Sequence, residues 1–256
     1  MFASQNIDSL FVVSNHQNIT VLKINEDFDS IAVSKTRTSY LLRFYAQGVE
    51  MAELDLNTAL DSLVFYNSIE GVSIDERDGR EYAWKNINGQ KWMTENLKYL
   101  PEIFPYNSFE EEKKEYFVYD FENDSLALAL EDSLYLVHGA LYNWAAALEA
   151  CPEGWVLPSA ENWDDFYEYV ETMGKPKEVI GDSIWGEGAE DLLGFGFYPA
   201  GINSGNYFQD INDISIFWSA TEGESYGARA LSLREHYGEL YDFDKYNGFS
   251  VRCLKK

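Results

Sequence analysis

The chain has 256 residues, 46% of them apolar and 16% aromatic, which suits one large domain or a domain with a smaller module and excludes wholesale disorder. Its 44 acidic residues against 19 basic ones give a formal charge of −25. Nucleic acid and anionic membrane surfaces are excluded as partners, because phosphate binding draws on Lys/Arg neutralisation and counterion release. The same balance is compatible with calcium, with cationic or neutral partners, and with plain solubility. No apolar run reaches membrane-spanning length, so membrane insertion is not expected.

Residues 1–70 read as a small β-rich module. Segments rich in β-branched and aromatic residues, Leu10–Val13, Ile19–Ile24, Ser30–Val33 and Tyr40–Tyr45, are separated by the turn formers Asn15, Asn18, Asn25, Asp27 and Asp29. Leu54, Leu56, Leu60 and Leu63 fit either a later strand or a short helix. A boundary falls near Gly71–Asp78, where Glu70–Gly71 and Asp78–Gly79 both signal turns, and opens a second domain over 71–256. Asp78–Gly79 suits a hairpin. Asn88–Gly89, between Tyr82–Ile87 and Gln90–Met93, is the strongest hairpin signal in the chain. Residues 101–137 read as an acidic insertion, with EEEKKE at 110–115 a solvated loop or helix edge.

The stretch Leu141–Trp163 carries the most information. A short helix with Trp144, Ala145 and Leu148 on one face ends at Cys151; a Pro/Gly turn leads to Leu157–Pro158; a second helix opens at Ser159, with Glu161 and Trp163 in its first turn. The only other cysteine is Cys253. Either the two form a staple that ties the last strand to the first helix, or they are buried thiols that never meet. The staple would close a loop of 102 residues (253 − 151) and would contribute roughly 4–5 kcal/mol in the chain-entropy model. It would also fit an oxidising compartment.

Beyond a loop-rich stretch over 174–194, GFGFYPAG at 194–201 reads as an irregular buried connection. The tail reads as three strands, Ile214–Ser219, Ala228–Leu233 and Phe249–Leu254, with Trp218 and Arg252 inside the first and last. This order favours antiparallel pairing over a βαβ series and so an α+β class. Trp84, Trp92, Trp144, Trp155, Trp163 and Trp218 are assigned to the core, and Trp185 is expected at the surface.

Catalytic signatures are scarce. His16, His138 and His236 have no zinc-type spacing, and Gly201–Gly205 places its serine wrongly for a nucleophile elbow. Asp210, Asn212 and Asp213 offer oxygen ligands of the kind calcium prefers, in a run that is more often a turn. No cofactor is otherwise expected. What remains is a surface between Glu222 and Asn247. Tyr226, Arg229, His236, Tyr237, Tyr241, Asp242 and Tyr246 combine rigid rings with hydrogen-bonding groups, as recognition surfaces do. The competing reading packs half of these rings on a sheet.

An ordered set of motifs resembles the Fibrobacter succinogenes major paralogous domain family over about 75–256. It opens with Asp75, Arg77, Asp78, Gly79 and Tyr82, then Gly89–Gln90, Trp92–Met93 and Glu95–Asn96–Leu97. It continues through Gly139, Leu141–Tyr142, Trp144 and Ala145–Ala147, then Cys151–Pro152, Gly154–Trp155, Leu157–Pro158–Ser159 and Trp163. It closes with Gly194–Phe197, Pro199–Gly201, Phe217–Glu222 and Ser250–Cys253. The resemblance departs at Val118 and before Gly139, where many relatives carry another cysteine pair, and at Ala140, where arginine is common.

The resemblance implies an exported bacterial domain with a C-type lectin-like or formylglycine-generating-enzyme-like fold: two helices around a small, twisted antiparallel sheet, with much loop. It implies the helix-to-last-strand disulfide Cys151–Cys253 and a ligand site on the loops before the last strands. The calcium-dependent sugar signature of true C-type lectins is missing, and copper-oxidase chemistry needs free cysteines that a staple would consume. The expectation is therefore a non-catalytic, secreted or cell-surface module that binds a glycan or a protein, although no signal peptide is visible in MFASQNIDSLFVV. The alternative is a self-assembling structural subunit of a cell-surface appendage or envelope.

Overall fold

Asn88 and Gly89 both adopt positive φ, 52° and 81°, the geometry a two-residue hairpin needs to match strand twist. They join β8 (Arg80–Ile87) to β9 (Gln90–Met93), and a turn closed on Asp75 joins β7 (Gly71–Asp75) to β8. The structure, a computed structural model, describes residues 71–181, 185, 189, 191–224 and 227–256, together with the backbone of six strands before residue 71. The chain divides into two units, Met1–Glu70 and Gly71–Lys256.

In the first unit the strands are β1 (Ser9–Ser14), β2 (Asn18–Lys23), β3 (Ser30–Lys35), β4 (Tyr40–Ala46), β5 (Val49–Leu56) and β6 (Ser62–Tyr66). They make two three-stranded antiparallel sheets, ordered β2-β1-β6 and β3-β4-β5. Leu54 and Leu56 lie in β5 and Leu63 in β6, so the leucine run is two strands rather than one strand or a helix; Leu60 lies outside the described residues.

The second unit is mixed α and β, rich in sheet with few helices. After β10 (Tyr116–Phe117) come α1 (Leu126–Ala129), α2 (Ser133–His138), β11 (Leu141–Tyr142), α3 (Trp144–Ala150), β12 (Trp155–Val156), α4 (Ala160–Met173) and α5 (Pro176–Val179). The tail contains β13 (Ala200–Asn203), β14 (Phe208–Ile211), β15 (Ile214–Glu222), β16 (Ala228–Arg234), β17 (Gly238–Phe243) and β18 (Leu254–Lys255). One five-stranded sheet runs β12-β18-β9-β8-β7 and the other β14-β13-β15-β16-β17. Pairing is antiparallel except at Gly201↔Ser215 and the bridge Phe217↔Ser250.

α4 links the two sheets. Ser159 and Asn162 close a capping box at its start, and Trp163, Phe166, Val170 and Met173 form its buried stripe. Trp163 stacks 4.7 Å from Trp92 of β9 and 5.4 Å from Phe217 of β15, and Phe166 lies 4.5 Å from Phe195. α3 is capped by Asn143, whose Oδ1 accepts from the N–H groups of Ala146 and Glu115, both at 3.0 Å. Its buried face is Trp144, Ala146, Ala147 and Ala150, not the expected Trp144, Ala145 and Leu148. Leu148 points to solvent because Trp144 and Ala147, not Leu148, set the inward stripe. Cys151, at the end of α3, is disulfide-bonded to Cys253 with the Cα atoms 5.8 Å apart, so the staple forms.

Four further expectations are corrected. Trp185 is buried, 9% exposed, with its ring 4.7 Å from that of Phe197. The supposed insertion over 101–137 contains two helices and a strand. Phe249–Leu254 is not a continuous strand: Phe249 and Ser250 make single bridges, and only Leu254 and Lys255 form β18. Glu115, read as solvated, is wholly buried. One of its carboxylate oxygens accepts from the Ser108 hydroxyl, while the other has no hydrogen-bond partner.

Burial raises the Glu115 pKa and outweighs the Ser108 bond and the nearby Lys113, while Glu110 pushes the same way as burial. Its native value therefore lies above the unfolded value of about 4.3. The stabilising contribution is complete below that unfolded value and is lost as pH rises through the native one. Glu115→Gln keeps the neutral form, so its stability relative to wild type should improve between pH 4 and 7, as read from urea midpoints. Reduction, or Cys151→Ala with Cys253→Ala, should cost about 3–5 kcal/mol in the same assay.

Candidate functional site

The surface expected over 222–247 is largely a hairpin: the expected strand Ala228–Leu233 lies in β16, and β17 is a second strand that the sequence reading did not include. β16 and β17 pair from Ala228↔Phe243 to Leu233↔Gly238, and the Arg234 N–H donates to the Tyr237 carbonyl at 2.9 Å to close the turn. The alternation over Gly238–Phe243, just after the predicted strand, was the available signal for β17. Tyr, Asp and Gly, common in loops, masked it. The hairpin is seated by Tyr167 of α4, whose hydroxyl accepts from the Gly238 N–H at 2.6 Å. A Cβ on Gly238 would sit 2.6 Å from the Tyr167 ring and 2.5 Å from Leu233.

Partners across the ladder share a face. Arg229 opposes Asp242, and its Nε lies 3.4 Å from the Asp242 carboxylate. Asp242 also accepts from the Glu224 N–H at 3.0 Å, so this pair anchors the preceding loop rather than waiting for a ligand. Tyr241 opposes Ala230 and Glu239 opposes Ser232, on the other face, which Arg234 of β16 shares. There the Tyr241 hydroxyl donates to the Glu239 carboxylate, which raises the phenol pKa; burial and the charges of Glu239 and Tyr237 add to the effect, and Arg234 opposes it. Arg234 in turn pairs with Asp213 at 2.5 Å.

The seven expected residues therefore do not form one site. Tyr237 and Tyr241, 49% and 43% exposed, lie near Arg234 and Glu239, which the sequence had not singled out, and near Asp213, which it had offered only as a calcium ligand. His236 turns toward Glu235, 3.8 Å away, and Glu235 is held at 2.6 Å by Lys177 of α5. Tyr246 packs elsewhere, its ring 5.2 Å from Phe109 and its hydroxyl on Asp244 at 2.8 Å. Tyr226 lies outside the described residues.

For calcium, Asp210 and Asn212 adopt positive φ, 61° and 67°, as turn residues of the β14–β15 connection, and Asp213 is engaged by Arg234. Among the described residues no group of three His, Cys, Asp or Glu side chains is placed to hold a metal ion. Two rings on the hairpin, with the ion pair from Arg234 of β16 to Asp213 before β15, can stack and hydrogen-bond.

A family model, the Fibrobacter succinogenes major domain, matches residues 86–255. The chain belongs to this family. No curated protein and no solved structure matches it. The motif positions of this Fibrobacter major domain serve its frame. Just before the matched residues, Asp75 is fully buried and holds the Arg77 guanidinium at 2.7 Å and 2.9 Å. Burial alone would raise its pKa, but the Arg77 hydrogen bonds and charge outweigh it and the value is lowered. Arg77 then donates to the carbonyl of Ala150 at 2.6 Å, capping the end of α3 beside Cys151.

Removing the seat should loosen the hairpin without unfolding the domain. Tyr167→Phe should cost about 1 kcal/mol and speed amide exchange at Gly238. Tyr241→Ala, at an exposed position, should change stability by no more than about 0.5 kcal/mol.

Proposed function

We propose that this chain is a non-catalytic ligand-binding module of an exported bacterial protein, secreted or held at the cell surface, whose Fibrobacter major domain has a C-type lectin-like fold. The fold reading is supported by the disulfide from the end of α3 to the terminal segment, by α3 and α4 as the longer helices, and by β18 lying beside β9 near the start of the domain. Export is supported by that same disulfide, since thiols in cytosolic compartments are kept reduced.

The observation that carries the binding reading is the exposure of Tyr237 and Tyr241 together on a seated hairpin, near the Arg234–Asp213 pair. Exposed tyrosine rings offer contact area at small cost in side-chain entropy, and the neighbouring charges supply directional hydrogen bonds. The ligand in this reading is a glycan or a protein, taken without a metal. Nucleic acid is not a partner.

The assembly-subunit reading has its own observation. Among the described residues, β2, β6, β3 and β5 of the first unit each lie at the edge of a three-stranded sheet, and open edges are templates for strand addition.

A glycan array and thermal-shift screen of the whole chain tests the first reading. A specific ligand should raise the melting temperature in proportion to the logarithm of its concentration. The shift should vanish in Tyr237→Ala with Tyr241→Ala. Light scattering that shows ordered, concentration-dependent oligomers, with no ligand response, would favour assembly instead.

A further inference from the structure

A groove of about 330 Å³ lies between the segment Ile103–Tyr106 and the residues Glu122, Asn123 and Asp124, none of which belongs to the β16–β17 hairpin. One side, taken as its floor, is the half-buried Ile103, Phe104 and Tyr106 with the exposed Pro105; the other, taken as its rim, is the exposed Glu122, Asn123 and Asp124.

The walls are fixed by contacts outside the groove. The Phe104 N–H donates to the Tyr116 carbonyl at 2.9 Å, and the Tyr106 carbonyl accepts from the Asn203 side chain at 3.0 Å. The Tyr106 ring lies 5.8 Å from Phe208. On the other side, Asn123 Oδ1 accepts from the Ser125 N–H at 2.8 Å, and Ser125 caps α1. The floor and Asn123 of the rim are thus held in place, while the Glu122 and Asp124 carboxylates stand in solvent.

Among the described residues the carboxylates of Glu122 and Asp124 have no cation against them, whereas other acids in this unit do, such as Glu95 with Lys98 and Glu149 with Lys114. Unpaired acids are expected in a chain with 44 acids and 19 bases. What sets this pair apart is its position over an apolar, partly aromatic floor. That floor already attracts ammonium: Lys113, which does not line the groove, holds its Nζ 4.5 Å from the Phe104 ring centre.

We propose that the groove is a docking site for a basic side chain, lysine or arginine, presented by a partner polypeptide. Such side chains pair an apolar stem with a charged head, and the groove offers a surface for each in the matching order. Its volume is at the low end for ligand pockets and suits one side chain rather than an extended chain of sugar rings. The site is separate from the hairpin and supplies a second, charge-selective contact.

The test is a titration of the full chain with capped Ala-Lys-Ala, Ala-Arg-Ala and Ala-norleucine-Ala, read by amide NMR shifts at 103–106 and 122–124. Saturable shifts are expected for the two cationic peptides, weakened by salt, and not for the norleucine peptide. Glu122→Gln with Asp124→Asn should weaken binding roughly three- to tenfold while leaving the melting temperature unchanged, since both side chains are exposed. Tyr237→Ala with Tyr241→Ala should leave the peptide shifts in place. Equal response to norleucine, no saturable shift at these residues, or shifts lost only with the tyrosine pair would overturn the proposal. The last outcome would leave the hairpin reading standing.

Discussion

A charged guanidinium with no carboxylate in contact sits at the centre of the second unit, and the frame is arranged around what it requires. Arg252 is fully buried. Its Nη1 and Nη2 donors reach the carbonyls of Met93, Phe195 and Gly196 and the side-chain oxygen of Asn96, the last at 2.6 Å, while its Nε has no hydrogen-bond partner. Its plane lies 4.3 Å from the Phe195 ring. Burial lowers its pKa to about 9, with Glu95 and Asp191 opposing from a distance, so it stays charged at neutral pH. A charge removed from water is costly unless its donors are met. Each of those oxygens therefore has to stay where it is. Cys253, the next residue, fixes the backbone on one side through the disulfide.

The GFGF turn is shaped by the same demand. Its carbonyls face Arg252, and its N–H groups face Asp191, whose carboxylate accepts from Phe195 and Gly196, both at 2.8 Å. Placing successive carbonyls and amides on opposite sides needs positive φ at Gly194 and Gly196, 60° and 63°. A Cβ at Gly196 would lie 2.0 Å from the Thr94 carbonyl oxygen. Both strain and space reserve that position for glycine. The phenylalanines between carry the packing, Phe195 against Phe166 and Phe197 against Trp185. One arginine thus couples β9, α4 and the long connection into β13.

Much of this frame was legible because it rests on residues with narrow conformational roles. Asn88–Gly89 and Asp78–Gly79 marked real turns, Ser159 marked a real cap, and of the six tryptophans expected in the core five are buried while Trp84 is half-buried against it. The ordered motifs marked the family, which its model matches over 86–255. Where reading failed, the deciding force was tertiary. Glu115 sits in a run that reads as solvent-exposed, yet its backbone N–H is claimed by Asn143 and its carbonyl accepts from the Asn143 N–H, which draws it inside with β10. Leu148 looks like core in a short apolar helix, but seven residues bury only one stripe, and alanines fill it. Trp185, flanked by glycine and acid, is drawn inward by a ring partner twelve residues on, which no local pattern shows.

The candidate binding residues were less legible than the frame because composition does not give face. Tyr241 and Asp242 are neighbours in sequence and lie on opposite sides of β17, one beside Arg234, the other paired with Arg229. Recognising a strand would have separated them by parity alone. The division also sets how each surface responds to the chain's charge of −25. Around Tyr237 and Tyr241 the Arg234–Asp213 pair offsets itself locally and leaves the Glu239 charge on the same face, so contacts there combine shape and hydrogen bonding with one local negative charge. The rim of Glu122 and Asp124 adds to the overall field instead of cancelling it. A field of that sign steers cationic groups over about a Debye length, roughly 8–10 Å in physiological salt, and fades as salt rises. A partner meeting both surfaces would be drawn by charge and selected by fit, two effects that separate along a single salt series.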